Sequence, residues 1–211
     1  MISVLIVDDE QLVREALKLL LKDASGVKVI GEAETGEMAL ASAREKRPNV
    51  ILLDVHLPDF SGLYISQKLL RQYPETKVII LTSEKNKTFS RRLLEVGVHS
   101  YLTKEAEQEE LIQAIKEVQK GKRIISPKIA SQLAISKMTS QVSGVLDSIS
   151  DREMEILLMM VRGVPTETIA QKLHLSPKTV STYRVAIFKK LNVKNDAELI
   201  LLGMRQGLLQ E

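Results

Sequence analysis

Short, continuously apolar runs alternate with amphipathic stretches through the first half of the chain. The runs at 2–7, 28–33, 49–53, 77–81 and 98–102 are rich in Val, Ile and Leu and predict five strands. Because successive residues are apolar rather than alternating, they predict a sheet covered on both faces. Between them Leu12, Ala16, Leu17, Leu19 and Leu20 form one helical pattern, and Met38, Ala39 and Ala43 another. Ile65, Leu69 and Leu70 supply a third, Arg92 to Val96 a fourth, and Leu111 to Val118 a fifth. Gly26, Gly36, Pro48, Gly62, Pro74, Gly97 and Gly121 punctuate these elements. Five strand–helix units predict an α/β fold, a five-stranded doubly wound parallel (βα)5 sheet in the order 2-1-3-4-5. In that order the winding reverses between the first and third strands.

After residue 121 the pattern loosens. Pro127 opens a predicted helix over KIASQLAISKM, and TSQVSGVLDS reads as a linker with little to bury. An all-α unit follows, with helices predicted at 151–162, 166–173, 177–191 and 196–205. The expected organisation is an α/β domain over 1–121, a linker with one helix over 122–147, and a helical domain over 148–211.

The strand ends carry the chemistry. Asp8 and Asp9 follow the first strand and Asp54 the third, the two strands that flank the reversal. Open parallel sheets bind ligands beyond the carboxyl ends of their strands at such a point. Two or three carboxylates around an open site suit Mg²⁺, which takes oxygen ligands and keeps positions for water and phosphate. Thr82 follows the fourth strand and Lys104 the fifth, a neutral donor and a point charge able to meet phosphoryl oxygens. Asp54 would be the nucleophile, since carboxylates form acyl phosphates. Each acid taken alone is more readily a helix N-cap, and a lone lysine a solvated stem. Five such residues past four strands of one sheet favour the site.

Composition narrows the class. The chain has 211 residues, no cysteine, and no apolar run approaching the roughly 18 residues of a membrane helix. Met1 leads directly into a strand, so the expectation is a cytoplasmic protein without a secretory signal or disulfides. His56, His99 and His174 are too scattered for a metal cluster. A Walker loop, GxGxxG and GxSxG are all lacking, which argues against an NTPase, a dinucleotide enzyme or a serine hydrolase.

The first domain resembles the receiver domains of two-component response regulators, through VLIVDDEQLVREAL, NVILLDVHLPDFSG, VIILTSE and SYLTKE. The resemblance implies that Asp54 is the phosphoacceptor and that Asp8, Asp9 and Asp54 hold Mg²⁺. It further implies that His56 lends the metal its backbone carbonyl, that Thr82 and Lys104 hold the phosphoryl group, and that Tyr101 is an aromatic switch coupled to Thr82. Glu105 stands where many receivers have proline.

Charge shifts along the chain, from a net of −2 over 1–121 to +3 over 122–147 and +2 over 148–211. The basic excess invites an anionic partner. In SPKTVSTYRVAIFKKLNVK, Ser176 is a plausible N-cap, Pro177 takes the first helical position, and residues 176–195 contain no acid. Val180, Tyr183, Ile187 and Leu191 are expected to face the core. Lys178, Ser181, Thr182, Arg184, Val185, Lys189 and Lys190 lie on the opposite faces. With ETIAQKLHL before it, the segment reads as a helix-turn-helix whose second helix enters a major groove.

This unit, SDREMEILLMMVRGVPTETIAQKLHLSPKTVSTYRVAIFKKLNV, resembles the LuxR-type DNA-binding domain of NarL/FixJ regulators, and within them the GacA/UvrY subgroup. The likeness places Ser181, Thr182 and Val185 at base-reading positions. Lys178, Thr179, Arg184, Lys189 and Lys190 complete the expected DNA-binding set. The subgroup usually has Asn at the position of Ser181 and a bulkier pair at Val185 and Ala186. Together the two resemblances imply a transcriptional regulator rather than an enzyme, controlled by a sensor histidine kinase. They imply binding to double-stranded DNA, dimerisation when phosphorylated, and small regulatory RNA genes as targets. One alternative is a DNA-binding regulator that ignores phosphate and uses the receiver as an interaction platform. Another is a phosphotransfer enzyme of the haloacid dehalogenase type, which wants an Asp where His56 stands.

Overall fold

The computed structural model describes residues 1–83, 87–127, 130–131 and 145–208, leaving aside the side chains of 87–89. It divides into two compact units, Met1–Ser136 and Lys137–Glu211.

In the first unit strands and helices alternate as expected: β1 Ile2–Val7, α1 Gln11–Lys22, β2 Val27–Ala33, α2 Gly36–Lys46, β3 Val50–Asp54 and α3 Gly62–Gln72. There follow β4 Lys77–Thr82, α4 Lys87–Val96, β5 Ser100–Thr103 and α5 Gln108–Gln119. The parallel sheet has the order β2-β1-β3-β4-β5 and then a sixth strand, β6 Ile124–Ile125. That last strand departs from the expectation. Ser100 pairs with Ile124 and Tyr101 with Ile125, so the first residues of the expected linker complete the open edge of β5. Two residues are too short a run for sequence periodicity to reveal. The helix expected over KIASQLAISKM lies almost wholly outside the described residues.

The sheet is buried on both faces, as the unbroken apolar runs require. Val4, Ile6, Val50, Leu52, Ile79 and Leu81 pack with Leu17 and Leu21 of α1 and Leu111, Ala114, Ile115 and Val118 of α5. Their alternates Leu5, Val7, Ile51 and Leu53 are at most 1% exposed on the other face, where α2 and α3 lie. Within α1 the buried stripe is Leu17 and Leu21, with Val13 packed alongside. Leu12 and Leu19 of the expected pattern are instead 81% and 71% exposed. A helix this rich in leucine offers more than one apolar stripe, and the sheet selects between them.

The described residues of the second unit hold a 3₁₀ turn at Val145–Ser148 and four helices: α6 Asp151–Val161, α7 Thr166–Leu173, α8 Pro177–Leu191 and α9 Asp196–Arg205. Ser150 opens α6 with a reciprocal capping box: its hydroxyl accepts from Glu153 N, and Glu153 Oε2 accepts from Ser150 N at 2.7 Å. Between α7 and α8 the chain turns through His174 in the left-handed conformation (φ 54°), and Ser176 Oγ caps α8 by accepting from Thr179 N at 3.0 Å. Arg152 donates to the Leu173 carbonyl at 2.9 Å, tying α6 to the end of α7. Val180, Ile187 and Leu191 are buried as expected, and Tyr183 is half-buried.

Candidate functional site

The carboxyl ends of β1, β3, β4 and β5 converge. Asp54 is the last residue of β3 and only 2% exposed, and Asp8, just past β1, is 1% exposed. Lys104 reaches both: its Nζ lies 2.8 Å from Asp8 Oδ2 and 3.0 Å from Asp54 Oδ2. Thr82, also buried, sits one strand over, and its carbonyl accepts from the Lys104 N–H at 2.8 Å. Parallel register brings these residues together, pairing Asp54 with Leu81 and Thr82 with Thr103. The Tyr101 ring is fully buried; Ser90 Oγ donates to its hydroxyl at 3.2 Å, and Thr82 also bonds to it.

Two acids missing from the expected set join this edge or support it. Glu10 Oε1 lies 3.3 Å from Lys104 Nζ, and the carboxylates of Asp8, Asp9 and Glu10 lie within 4.8 Å of one another. Its signal was its place directly after the acid pair. Asp59 Oδ1 accepts from Gly36 N at 2.7 Å and Oδ2 from Glu37 N at 2.8 Å, pinning the loop after β3 to the start of α2. Long-range pairings of that kind leave no trace in local sequence.

The loop after β3 is folded tightly. His56, buried, bridges to Ser61, and Gly62 N donates to Val55 O at 2.7 Å. A Cβ on Gly62 would stand 2.5 Å from the Asp54 carbonyl oxygen and 2.7 Å from Val55 Cα, both backbone atoms. Gly62→Ala is therefore expected to cost about 1–3 kcal/mol through overpacking, read from the urea midpoint, and to slow any reaction at Asp54. Wild-type stability of this variant would contradict the close approach.

Electrostatics follow from burial. Burial pushes the Asp54 carboxyl up to about 6, against the Lys104 charge, with Asp8 adding to the rise. The His56 N–H bonds to the same carboxylate. Asp8 is raised for the same first reason. Burial would lower the Lys104 ammonium, but the Asp54 and Asp8 carboxylates overcome it and raise it above its ordinary value. The edge is thus a buried pair of acids balanced by one shared cation. A divalent cation fits the donors, which are all oxygens, carboxylates with one backbone carbonyl, as Mg²⁺ prefers. Asp8 Oδ2 is fully buried, and beside the Lys104 ammonium it accepts no hydrogen bond among the described residues.

On α8, Lys178, Ser181, Thr182, Val185 and Lys189 are exposed along a single stripe, with Thr179 half-buried at its start. Val185 is 69% exposed, a large apolar side chain left bare on the helix. The Ser181 and Thr182 hydroxyls donate back to Pro177 O (3.0 Å) and Lys178 O (3.1 Å), local bonds that a partner can replace. Two of the expected cations are held inside the unit. Arg184 Nη2 lies 2.7 Å from Asp196 Oδ2, with its guanidinium over the Phe188 ring. Lys190 Nζ lies 2.6 Å from the buried Glu153 Oε2. Helical spacing placed both on the polar side of α8 but could not reveal partners 12 and 37 residues away.

The parallel sheet with its carboxylate edge and the helix-turn-helix unit each match a known family. The family description "Response regulator receiver domain" matches residues 4–116, and "Bacterial regulatory proteins, luxR family" matches 147–202. The chain belongs to the two-component response regulators that carry a LuxR-type DNA-binding domain. It is 46% identical over 210 residues to the response regulator GacA of Pseudomonas viridiflava, covering 99% of this chain and 98% of that one. To the response regulator UvrY of Escherichia coli K12 it is 38% identical over 209 residues, covering 99% and 96%. The solved response regulator RcsB of Salmonella typhimurium has the same fold, with a TM-score of 0.75 at 24% identity over 97% of this chain and 98% of that one. Among the described residues no helix is long and apolar enough to cross a membrane.

Proposed function

We propose that phosphorylation of Asp54 by a sensor histidine kinase controls sequence-specific DNA binding by the second unit. An Asp54 oxygen forms the new O–P bond as the donor's N–P bond breaks. Asp8, Asp9 and Asp54, with the His56 backbone carbonyl, would hold Mg²⁺, which when bound offsets the charge gathering on the phosphoryl oxygens. Lys104 exchanges part of its grip on Asp54 and Asp8 for a phosphoryl oxygen, and Thr82 donates to another. Tyr101, bonded to Thr82 and lying on the strand that pairs with β6, carries the change to the receiver surface. The observation that carries this reading is Lys104 Nζ within 3.0 Å of two buried carboxylates at one sheet edge. The GacA and UvrY likeness supports small regulatory RNA genes as targets, and the reading is of a cytoplasmic regulator, homodimeric when phosphorylated, rather than an enzyme.

The test uses the full-length protein with acetyl phosphate and Mg²⁺ against DNA selected from a random pool. Labelling at Asp54 with tighter binding of the selected DNA is expected. Equal affinity with and without the phosphodonor would favour the phosphate-independent alternative, and rapid turnover of small phosphate esters would favour the phosphotransfer enzyme.

The exposed stripe of α8 makes a sharper expectation. Lys178 and Lys189 meet phosphates, so alanine at either should weaken all sequences alike and flatten the salt dependence by about one unit of slope. Ser181, Thr182 and Val185 face base edges, where a good contact discriminates by about 1–3 kcal/mol. Substituting Thr182 or Val185 should change the ranking of operator variants; equal loss on selected and random DNA would move them off the bases. Arg184, neutralised by Asp196, should affect the slope less than Lys178 does.

A further inference from the structure

We propose that Arg14 is a positioning residue for the acidic turn, setting how tightly the site takes up Mg²⁺ without touching the ion or the phosphoryl group. The proposal rests on the phosphoacceptor reading above. Arg14 lies in the first turn of α1, and its side chain is only 11% exposed. Nη1 donates to the Asp8 carbonyl at 2.8 Å and to the Asp9 carbonyl at 3.2 Å. Nε donates to Glu32 Oε2 at 3.2 Å, and Nη2 lies 3.8 Å from Glu34 Oε2. Glu32 is also held by Lys18 at 3.2 Å, and its carboxyl is lowered by Lys18 and then Arg14, against burial.

One guanidinium therefore spans from β2 and the loop after it to the two carbonyls of the residues proposed to bind the ion. A peptide unit is planar, so fixing the direction of two successive carbonyls fixes the backbone between them and where the Asp8 and Asp9 side chains leave it. The turn has other restraints: Asp8 N donates to Ala33 O at 3.1 Å, Arg14 N to Glu10 O at 3.1 Å, and Glu10 N to Asp8 Oδ1 at 3.0 Å, but none of these holds the Asp8 or Asp9 carbonyl. The last of them leaves Asp8 Oδ2 for Lys104 and the ion. Asp9 is exposed, so its aim depends chiefly on the backbone that Arg14 grips.

Charge alone would act the other way. A cation beside the turn repels a second cation, and Glu32 and Glu34 offset that repulsion. What remains is geometry, and it needs a planar fork. A lysine keeps the charge and much of the stem but offers a single ammonium, which cannot serve two carbonyls and a carboxylate in that arrangement. Outer partners that orient metal ligands typically change affinity by about 10–100-fold when lost.

The experiment is Mg²⁺ titration of the full chain by calorimetry, on wild type, Asp9→Asn, Arg14→Lys and Glu32→Gln, with melting of each in chelator. Wild type is expected to bind and Asp9→Asn to lose most of that binding. Arg14→Lys should bind about 10-fold more weakly while melting in chelator close to wild type. Its half-saturating Mg²⁺ for acetyl phosphate labelling should rise by the same factor, with the rate at saturating Mg²⁺ nearly unchanged. Glu32→Gln, which loosens the tether and keeps the arginine, should shift the titration in the same direction by less; it decides the matter if Arg14→Lys proves unstable. Wild-type Mg²⁺ affinity in Arg14→Lys, or in Glu32→Gln where the lysine variant does not fold, would overturn the brace and leave the site reading intact. Failure of the wild type itself to bind Mg²⁺ would overturn the site reading and this proposal with it.

Discussion

Asp54→Asn is expected to abolish labelling by acetyl phosphate or by a kinase. The amide keeps the volume and position of the side chain at the end of β3 but offers no anionic oxygen to form the O–P bond. Asp9→Ala should suppress labelling by removing a proposed Mg²⁺ ligand from the exposed side of the site. Full labelling of Asp54→Asn would show that another residue is the acceptor. The same variant has a second readout. Burial holds Asp54 up at about 6, above its value in an unfolded chain, so in chelator the folded state takes up a proton first as pH falls. Its contribution to stability is complete at acid pH and is lost as pH rises through about 6. Asp54→Asn should remove that part of the pH dependence, measured as the urea midpoint between pH 4.5 and 7.5. An unaltered profile would place the titration elsewhere.

Glu153→Ala is expected to lower the stability of the DNA-binding unit by about 2 kcal/mol. One oxygen of Glu153 accepts from Ser150 N at 2.7 Å, Ser150 Oγ at 2.8 Å and Lys190 Nζ at 2.6 Å. Alanine opens the capping box of α6 and at the same time releases the lysine that ties α8 back to it. Lys190→Ala should cost less, since the serine bonds to Glu153 survive and the lysine is partly exposed. Melting of the second unit's helices, followed by circular dichroism, checks both. Because Lys190 is bound internally, its loss should leave the salt slope of DNA binding nearly unchanged, in contrast to Lys189. A slope that falls equally for the two lysines would mean that Lys190 abandons Glu153 for a phosphate.

Much of this molecule was readable along the chain. The continuous apolar runs located β1 to β5 because a sheet covered on both faces needs apolar residues at every position. Helical spacing, with the cap at Ser176 and Pro177 after it, set the four predicted helices of the second unit almost to the residue, while the capping box at Ser150 and the left-handed conformation of His174 emerged only in the structure. Asp8, Asp9, Asp54, Thr82 and Lys104 were legible as one edge because each follows a strand, and strand order then brings them together.

Other features lay beyond that reach. The exposure of Leu12 and Leu19 depends on which stripe of a leucine-rich helix meets the sheet, and periodicity alone offers several. β6 exists because β5 has an open edge for Ile124 and Ile125 to pair with, a reason outside its own residues.

The sequence by itself determined the two kinds of unit, the strand order and the residue types at the sheet edge, since these follow from local patterns of two and 3.6 residues and from what stands after each strand. Only the tertiary structure decided the partners: Lys104 shared between Asp8 and Asp54, Arg14 on the carbonyls of the acidic turn, and Glu153 holding Lys190. Those contacts join residues distant in the chain, and a carboxylate or a cation carries no mark of which opposite charge the fold will bring to it.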